Sequence, residues 1–167
     1  MLSDLLCSSC NLRLFEFQYE LISICEYLLA VDYSLLETGS KVSDQKYTLT
    51  HEEVDLYLHA VQDDSERHLD SSGTELAPPM ALAALSLRGV VIDLQIPGGT
   101  LHVGQEMEFK DAVRVGENLR CIASLASNNI RGDWRFMVVN LSVLRSSGDQ
   151  VMEGKSTIML PAENKIE

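Results

Sequence analysis

The spacing of apolar residues predicts helices in the first part of the chain and strands in the second. The clearest helix follows Thr50, because Thr50 and Glu53 form a capping box in which each side chain can bond a free backbone N–H. We expect this helix to end near Gln62. Its apolar residues recur at i, i+3, i+4 and i+7, at Val54, Tyr57, Leu58 and Val61.

A second helix, Met80 to Ile92, is apolar on nearly every face. Pro78 and Pro79 precede it, and proline is favoured at helix starts. A helix without a polar face is normally buried, often against a sheet, so we predict that this one is the centre of the core. Gly89 within it would allow a neighbouring element to approach closely.

Beyond the turn sequence PGGT at 97–100, apolar and polar residues alternate, which predicts an antiparallel meander. Each strand is separated from the next by a turn rich in Gly, Asn, Asp or Ser. The predicted strands are 101–113, 119–125, 134–145 and 151–160, and the turns are 115–118, 128–133 and 146–149.

The N-terminal part carries fewer signals. We predict a helix over 17–36, a polar loop over 37–45 and a short strand from Lys46 to Leu49. The expected organisation is an N-terminal helical extension over 1–34 and one domain over 35–167. The fold class is α+β, with one antiparallel sheet around a buried helix.

The 167 residues suit a single domain. The net charge of the chain limits the classes of partner that it can bind. A net charge of -12 argues against a nucleic-acid surface and against docking on an anionic membrane. The apolar stretch 19–36 is interrupted by Glu20, Glu26 and Asp32, which disfavours a membrane span. With no secretory signal at its start, the chain is expected in the cytoplasm.

Cysteine spacing does not predict a metal site. Cys7 and Cys10 form a single CxxC without a second pair or a nearby His, whereas a structural zinc needs four ligands. We expect reduced thiols, no metal and no cofactor.

Residues 46–70 resemble the opening of MaoC-like hydratases and dehydratases. In those enzymes a strand and a helix lead into a loop that typically reads Gly-Asp-x-Asn-Pro-x-His. Here Asp63 and His68 keep the Asp and His places, while Gln62, Ser65 and Glu66 replace the Gly, Asn and Pro.

Residues 101–121 are similar to the strand after the central helix in the FAS1-like half of the same superfamily. The places that match are His102, Gln105, Glu106, Arg114, Gly116 and Glu117. The resemblance covers about residues 35–161 and implies a hot-dog fold, in which an antiparallel sheet wraps a long helix, here with an extra N-terminal helix.

The resemblance also implies a chemistry, the reversible hydration of a 2-enoyl thioester of coenzyme A or acyl carrier protein. Asp63 would orient and deprotonate water, and His68 would exchange the proton at the α carbon. The expected substrate-binding residues are Pro79, Met80, His102, Gln105 and Arg114. A solvated surface loop is the alternative reading, since residues 63–70 contain three Asp, one Glu, one Arg and one His.

A non-catalytic function stays open beside the enzymatic one. Active relatives begin the central helix with His-Gly, and the Gly N–H polarises the thioester carbonyl. Pro78 and Pro79 stand at those places here, and proline has no N–H to donate. The chain could instead bind the acyl group and pair with a catalytic hot-dog subunit. A thioesterase is a third possibility, without a motif that favours it.

A free sheet edge also predicts a dimer, either with a second copy or with another hot-dog subunit.

Overall fold

An antiparallel sheet and two helices make up residues 31–162, the part of the chain that the computed structural model describes. The α+β class predicted from the sequence is confirmed. In chain order the elements are a 3-10 turn Tyr33–Leu35, β1 Lys41–Thr48, α1 His51–Val61, α2 Pro79–Asp93, β2 Leu101–Phe109, β3 Asn118–Arg131, β4 Trp134–Arg145 and β5 Gln150–Pro161.

The five strands lie in the order β1-β3-β4-β5-β2, and every neighbouring pair is antiparallel. β3, β4 and β5 follow one another through tight turns, whereas β1 and β2 form the two edges. Helix α2 packs on β1, β3 and β4. The β2 side of the sheet therefore lies away from this helix.

The alternating pattern of the C-terminal strands places the core as predicted. On β4 Met137, Val139, Leu141 and Val143 are all buried. On β3 the buried face consists of Leu119, Cys121, Ala123 and Leu125. Since side chains of one strand point alternately to opposite faces, the polar residues between them lie on the outer face of the sheet.

Helix α2 approaches β1 closely at Gly89, as its sequence predicts. A Cβ at Gly89 would lie 2.5 Å from Ser43 Oγ and 2.7 Å from Gln45 Cγ. The prediction of burial on nearly every face is wrong for part of the helix, because Met80, Val91 and Ile92 remain half exposed. The sheet covers one side of α2, and α1 contacts it through Leu85 and through the ion pair between Arg88 and Glu53.

The capping box of α1 is present, with Glu53 N donating to Thr50 Oγ1 at 3.3 Å and Thr50 N donating to Glu53 Oε2 at 3.2 Å. Thr50→Ala should lower the free energy of unfolding by about 1 kcal/mol, since it leaves one helix N–H without its side-chain acceptor. Urea denaturation measures this loss. Thr50→Ser, which keeps the hydroxyl, is the control and should stay close to the wild-type value.

Strand β1 begins at Lys41, so the predicted loop over 37–45 is wrong in its second half. The sequence KVSDQKYT lacks an alternation of apolar residues. Pairing with β3 forms the strand instead, from Lys41 opposite Ser124 to Thr48 opposite Asn118.

Three further boundaries differ from the prediction. β2 ends at Phe109 rather than at 113, and the N–H groups of both Lys110 and Asp111 point to Val151 O. β3 continues to Arg131 through the predicted turn at 128–133, because an irregularity between Leu125 and Ser127 resets its pairing with β4. The predicted helix over 17–36 lies mostly outside the described residues, and its described end is the 3-10 turn.

Candidate functional site

A pocket of about 250 Å³ lies where the end of α1, the following loop and the start of α2 meet. It brings together four of the residues predicted from the sequence, Asp63, His68, Pro79 and Met80. The other lining residues are Tyr57, Leu58, Ser65, Glu66, Arg67, Leu76 and Pro78. Charged groups of the loop thus face apolar groups of the helices across a small concave site.

The loop is fixed at both ends by backbone hydrogen bonds. Gln62 takes a left-handed conformation with φ 56° and ends α1, and Asp63 N then donates to Leu58 O at 2.9 Å. At the other end, Leu76 N donates to His68 O at 2.8 Å. These contacts hold the Asp and the His at one pocket.

Ion pairs tie the middle of the loop to its surroundings. Arg67 pairs with Asp55 of α1 and lies 3.4 Å from Glu75. Further along, Asp70 accepts hydrogen bonds from Ser72 N at 2.8 Å and Thr74 N at 3.0 Å. These contacts restrain the loop, so its side chains can keep fixed positions at the pocket.

The Asp63 carboxylate is held in its charged form. The Ser65 hydroxyl and the Ser65 N–H, which donates to Oδ1 at 3.0 Å, lower the pKa of Asp63 below its ordinary value. Positive charge on His68 and Arg67 lowers this pKa further. Asp63 is therefore ionised at neutral pH and can accept a hydrogen bond from water.

Ser65→Ala should raise the pKa of Asp63 towards that of a free aspartate, because the hydroxyl is the largest cause of the lowered value. An NMR titration of the carboxyl carbon measures this pKa in both proteins. The control is Ser71→Ala, which removes an exposed hydroxyl further along the same loop. An unchanged Asp63 midpoint in Ser65→Ala would contradict the assigned hydrogen bond from the Ser65 hydroxyl.

The start of α2 supplies one free backbone donor. Pro79, at the first helical position, has no N–H. The next donors, Ala81 N and Leu82 N, both point to Pro78 O, at 3.0 and 3.3 Å. Between them, Met80 N has no acceptor among residues 31–162, and Met80 lines the pocket. The positive end of the helix dipole lies at the same place.

The other predicted substrate-binding residues do not line this pocket. His102 Nε2 lies 2.7 Å from Ser156 Oγ, and Gln105 Nε2 lies 3.6 Å from Met107 Sδ, both on the β2 side of the sheet. Arg114 Nε donates to Asp70 Oδ2 at 2.7 Å and so connects the segment after β2 to the loop. Their binding roles stay predictions.

The apolar residues that line the pocket were not predicted from the sequence. Tyr57 and Leu58 belong to the apolar stripe of α1, which indicates only that they face the core. Leu76 stands between two helices, in a segment that gives no periodic signal. The signal that could have found them is proximity in sequence to Asp63 and Pro78.

Residues 31–162 contain no group of His, Cys, Asp and Glu side chains arranged to hold a metal ion. Over the same range, none of the helices has the length and apolar character that crossing a membrane requires.

The sheet order and the helix lying on it define a hot-dog fold. Residues 37–154 match the family model described as "FAS1-like, dehydratase domain region". The chain belongs to this family, as the sequence resemblance predicted. None of the curated proteins is a significant match.

Solved structures confirm the fold. The chain is similar to the (R)-hydratase PhaJ1 from Pseudomonas aeruginosa, with a TM-score of 0.67 and 23% identity over 80% of this chain and 88% of that one. It is similar to the (3R)-hydroxyacyl-ACP dehydratase complex HadBC from Mycobacterium tuberculosis, with a TM-score of 0.62 and 18% identity over 79% and 100%. A third protein, from Mycobacterium tuberculosis and described as a double hot-dog fold, matches with a TM-score of 0.66 and 15% identity over 83% and 46%.

Proposed function

We propose that this chain is an acyl-thioester hydratase and dehydratase, which interconverts a 2-enoyl thioester of coenzyme A or acyl carrier protein and the 3-hydroxyacyl thioester. The observation that carries the proposal is that Asp63 and His68 line one pocket together with the start of α2. Membership of the FAS1-like dehydratase family supports the reaction class.

In the proposed reaction, Asp63 holds a water molecule and accepts one of its protons while the water oxygen bonds to C3 of the enoyl group. His68 delivers a proton to C2, so that the elements of water are added across the double bond. Acid–base catalysis of this kind contributes about 10²–10⁴-fold. The Met80 N–H would donate to the thioester oxygen, where negative charge develops.

The proposed assembly is a pair of hot-dog domains. The proposed location is the cytoplasm, as expected from the sequence.

β2 leaves one edge of the sheet unpaired among the described residues, and such an edge favours addition of another strand. The HadBC relative is described as a complex, which supports a hot-dog partner for this chain, either a second copy or another subunit.

A second candidate is a non-catalytic subunit that binds the acyl chain beside a catalytic hot-dog partner. One observation favours it, since Pro79 removes an N–H at the helix start, where a donor to the thioester carbonyl is needed. Loss of one such donor costs roughly 10²–10³-fold in rate.

An assay of the purified full chain with crotonyl-CoA and with longer 2-enoyl thioesters separates the two candidates. Hydration by the chain alone supports the enzyme. An inert chain that binds saturated acyl-CoA, and that becomes active only with a partner subunit, supports the second candidate. A chain that neither binds nor hydrates any of these thioesters overturns both.

A further inference from the structure

Backbone hydrogen bonds join His68 to the segment that leads into α2. Leu76 N donates to His68 O at 2.8 Å. The turn between these two residues is closed by Asp70 N, which donates to Thr74 O at 2.9 Å. This part of the loop is therefore a short hairpin that begins at His68.

The segment after β2 lies against the other side of this hairpin. Val113 O accepts a hydrogen bond from Ala77 N at 2.8 Å, and Arg114 forms an antiparallel bridge with Leu76. Since Leu76 N points to His68 O, Leu76 lies between His68 and Arg114. The backbone that leads into α2 is thus held from both sides.

A single carboxylate joins the turn of the hairpin to Arg114. Asp70 Oδ1 accepts from Ser72 N at 2.8 Å and from Thr74 N at 3.0 Å, which closes the turn. Oδ2 of the same side chain accepts from Arg114 Nε at 2.7 Å. The Ser72 hydroxyl and the Arg114 guanidinium hold the pKa of Asp70 well below its ordinary value. The side chain of Asp70 is only 14% exposed, so its contact with Arg114 is screened less than that of two fully exposed groups.

The His68 ring depends on this hairpin for its position. Among the histidines of residues 31–162, His51 and His102 have side-chain hydrogen-bond or ion-pair partners, whereas His68 has none. Its ring is therefore directed only by the backbone that carries it. Asp63 is fixed separately at the end of α1, where its N–H donates to Leu58 O at 2.9 Å. In the proposed reaction Asp63 and His68 act on neighbouring carbon atoms, so their separation has to be fixed.

We propose that Arg114 and Asp70 position His68 for proton transfer, by clamping its hairpin to the segment after β2. Neither residue lines the pocket, so both act through His68 rather than on the substrate. This role replaces the contact between Arg114 and the thioester that the sequence resemblance implies. It rests on the hydratase function proposed above.

Kinetics with two thioesters separate positioning from substrate binding. Arg114→Ala in the full chain should lower kcat for crotonyl-CoA by about 10²-fold, the cost of misplacing a reacting group by about 1 Å, and should leave KM near the wild-type value. Crotonyl pantetheine, which has the same thioester but no phosphate, should show the same loss of kcat. A guanidinium that bound a phosphate of coenzyme A would instead raise KM for crotonyl-CoA alone, and that result overturns the proposal.

A double-mutant cycle tests whether the two residues act together. Asp70→Asn keeps an oxygen for the N–H groups of the turn but has no charge for Arg114, so it should lower kcat as Arg114→Ala does. The double variant should lose no more than either single variant, because both changes remove the same contact. Arg114→Lys, which keeps a charge beside Asp70, should recover most of the lost kcat. Losses that multiply in the double variant contradict a shared role.

Arg120→Ala is the matched control for the loss of an arginine. Arg120 of β3 forms an ion pair of the same kind with Asp44 of β1, through hydrogen bonds of 2.7 and 2.6 Å. This pair has no contact with the loop, so the variant should keep wild-type kcat and KM. An equal loss of kcat in Arg120→Ala and Arg114→Ala would refute a specific action on His68.

Amide hydrogen exchange tests the clamp without an assay of activity. The Leu76 N–H, which donates to His68 O, should exchange faster in Arg114→Ala than in the wild type or in Arg120→Ala. Unchanged exchange overturns the clamp, whether or not the chain is a hydratase. Faster exchange in a chain that hydrates neither thioester overturns the hydratase function, and with it the role in proton transfer, while the contact itself stands.

Discussion

Replacing Asp63 with Asn is expected to lower kcat for hydration of crotonyl-CoA by about 10²–10⁴-fold. The amide keeps the size of the side chain but cannot accept the proton of the attacking water. The wild-type carboxylate is charged at neutral pH, which is the form a base requires, and its lowered pKa makes it a weaker base than a free aspartate. Steady-state kinetics at neutral pH measure the change.

Asp64→Asn is the matched control, because Asp64 is the next residue of the same loop but does not line the pocket. It should retain wild-type kcat and KM. An equal loss of kcat in the two variants would mean that activity depends on the total charge of the loop rather than on the Asp63 carboxylate. Full activity of Asp63→Asn would end its assignment as the base.

The second large effect concerns the contact between α2 and β1. Gly89→Ala should lower the free energy of unfolding by about 2 kcal/mol, since the new Cβ would lie 2.5 Å from Ser43 Oγ and 2.7 Å from Gln45 Cγ. This cost exceeds the gain of about 1 kcal/mol that alanine brings to a helix interior. Urea denaturation curves give the difference.

The double variant Gly89→Ala with Ser43→Ala separates the clash from other effects. Removing Ser43 Oγ takes away the closest atom, so part of the lost stability should return. A stabilised Gly89→Ala protein would show that α2 can move away from β1, and that the close approach is not required for the fold.

The sequence predicted those elements whose causes are local. The capping box of α1 lies within four residues, and the alternation on β4 reports directly which side chains enter the core. The position of Asp63 and His68 at one pocket follows from the short loop between them and the end of α1. Each of these features depends on neighbours in the chain.

The features that the sequence could not predict depend on distant partners. β1 is a strand because β3 pairs with it, from Lys41 opposite Ser124 to Thr48 opposite Asn118, across 70 to 83 residues of chain. Met80, Val91 and Ile92 of α2 are exposed because the helix packs on β1, β3 and β4 with only one of its sides. The order of the strands separates His102 and Gln105 from the pocket, which no spacing along the chain reveals.

The side chains and irregularities at the two edges of the sheet bear on whether further strands can add there. β1 presents charged side chains at Lys41, Asp44 and Lys46, and an irregularity between Lys41 and Ser43 disturbs its pairing register. Such charges and bulges discourage the addition of a further strand, and β2 has both as well, in Glu106 and Glu108 and in an irregularity between His102 and Gly104. Both edges therefore oppose the open-ended sheet extension that leads to fibres.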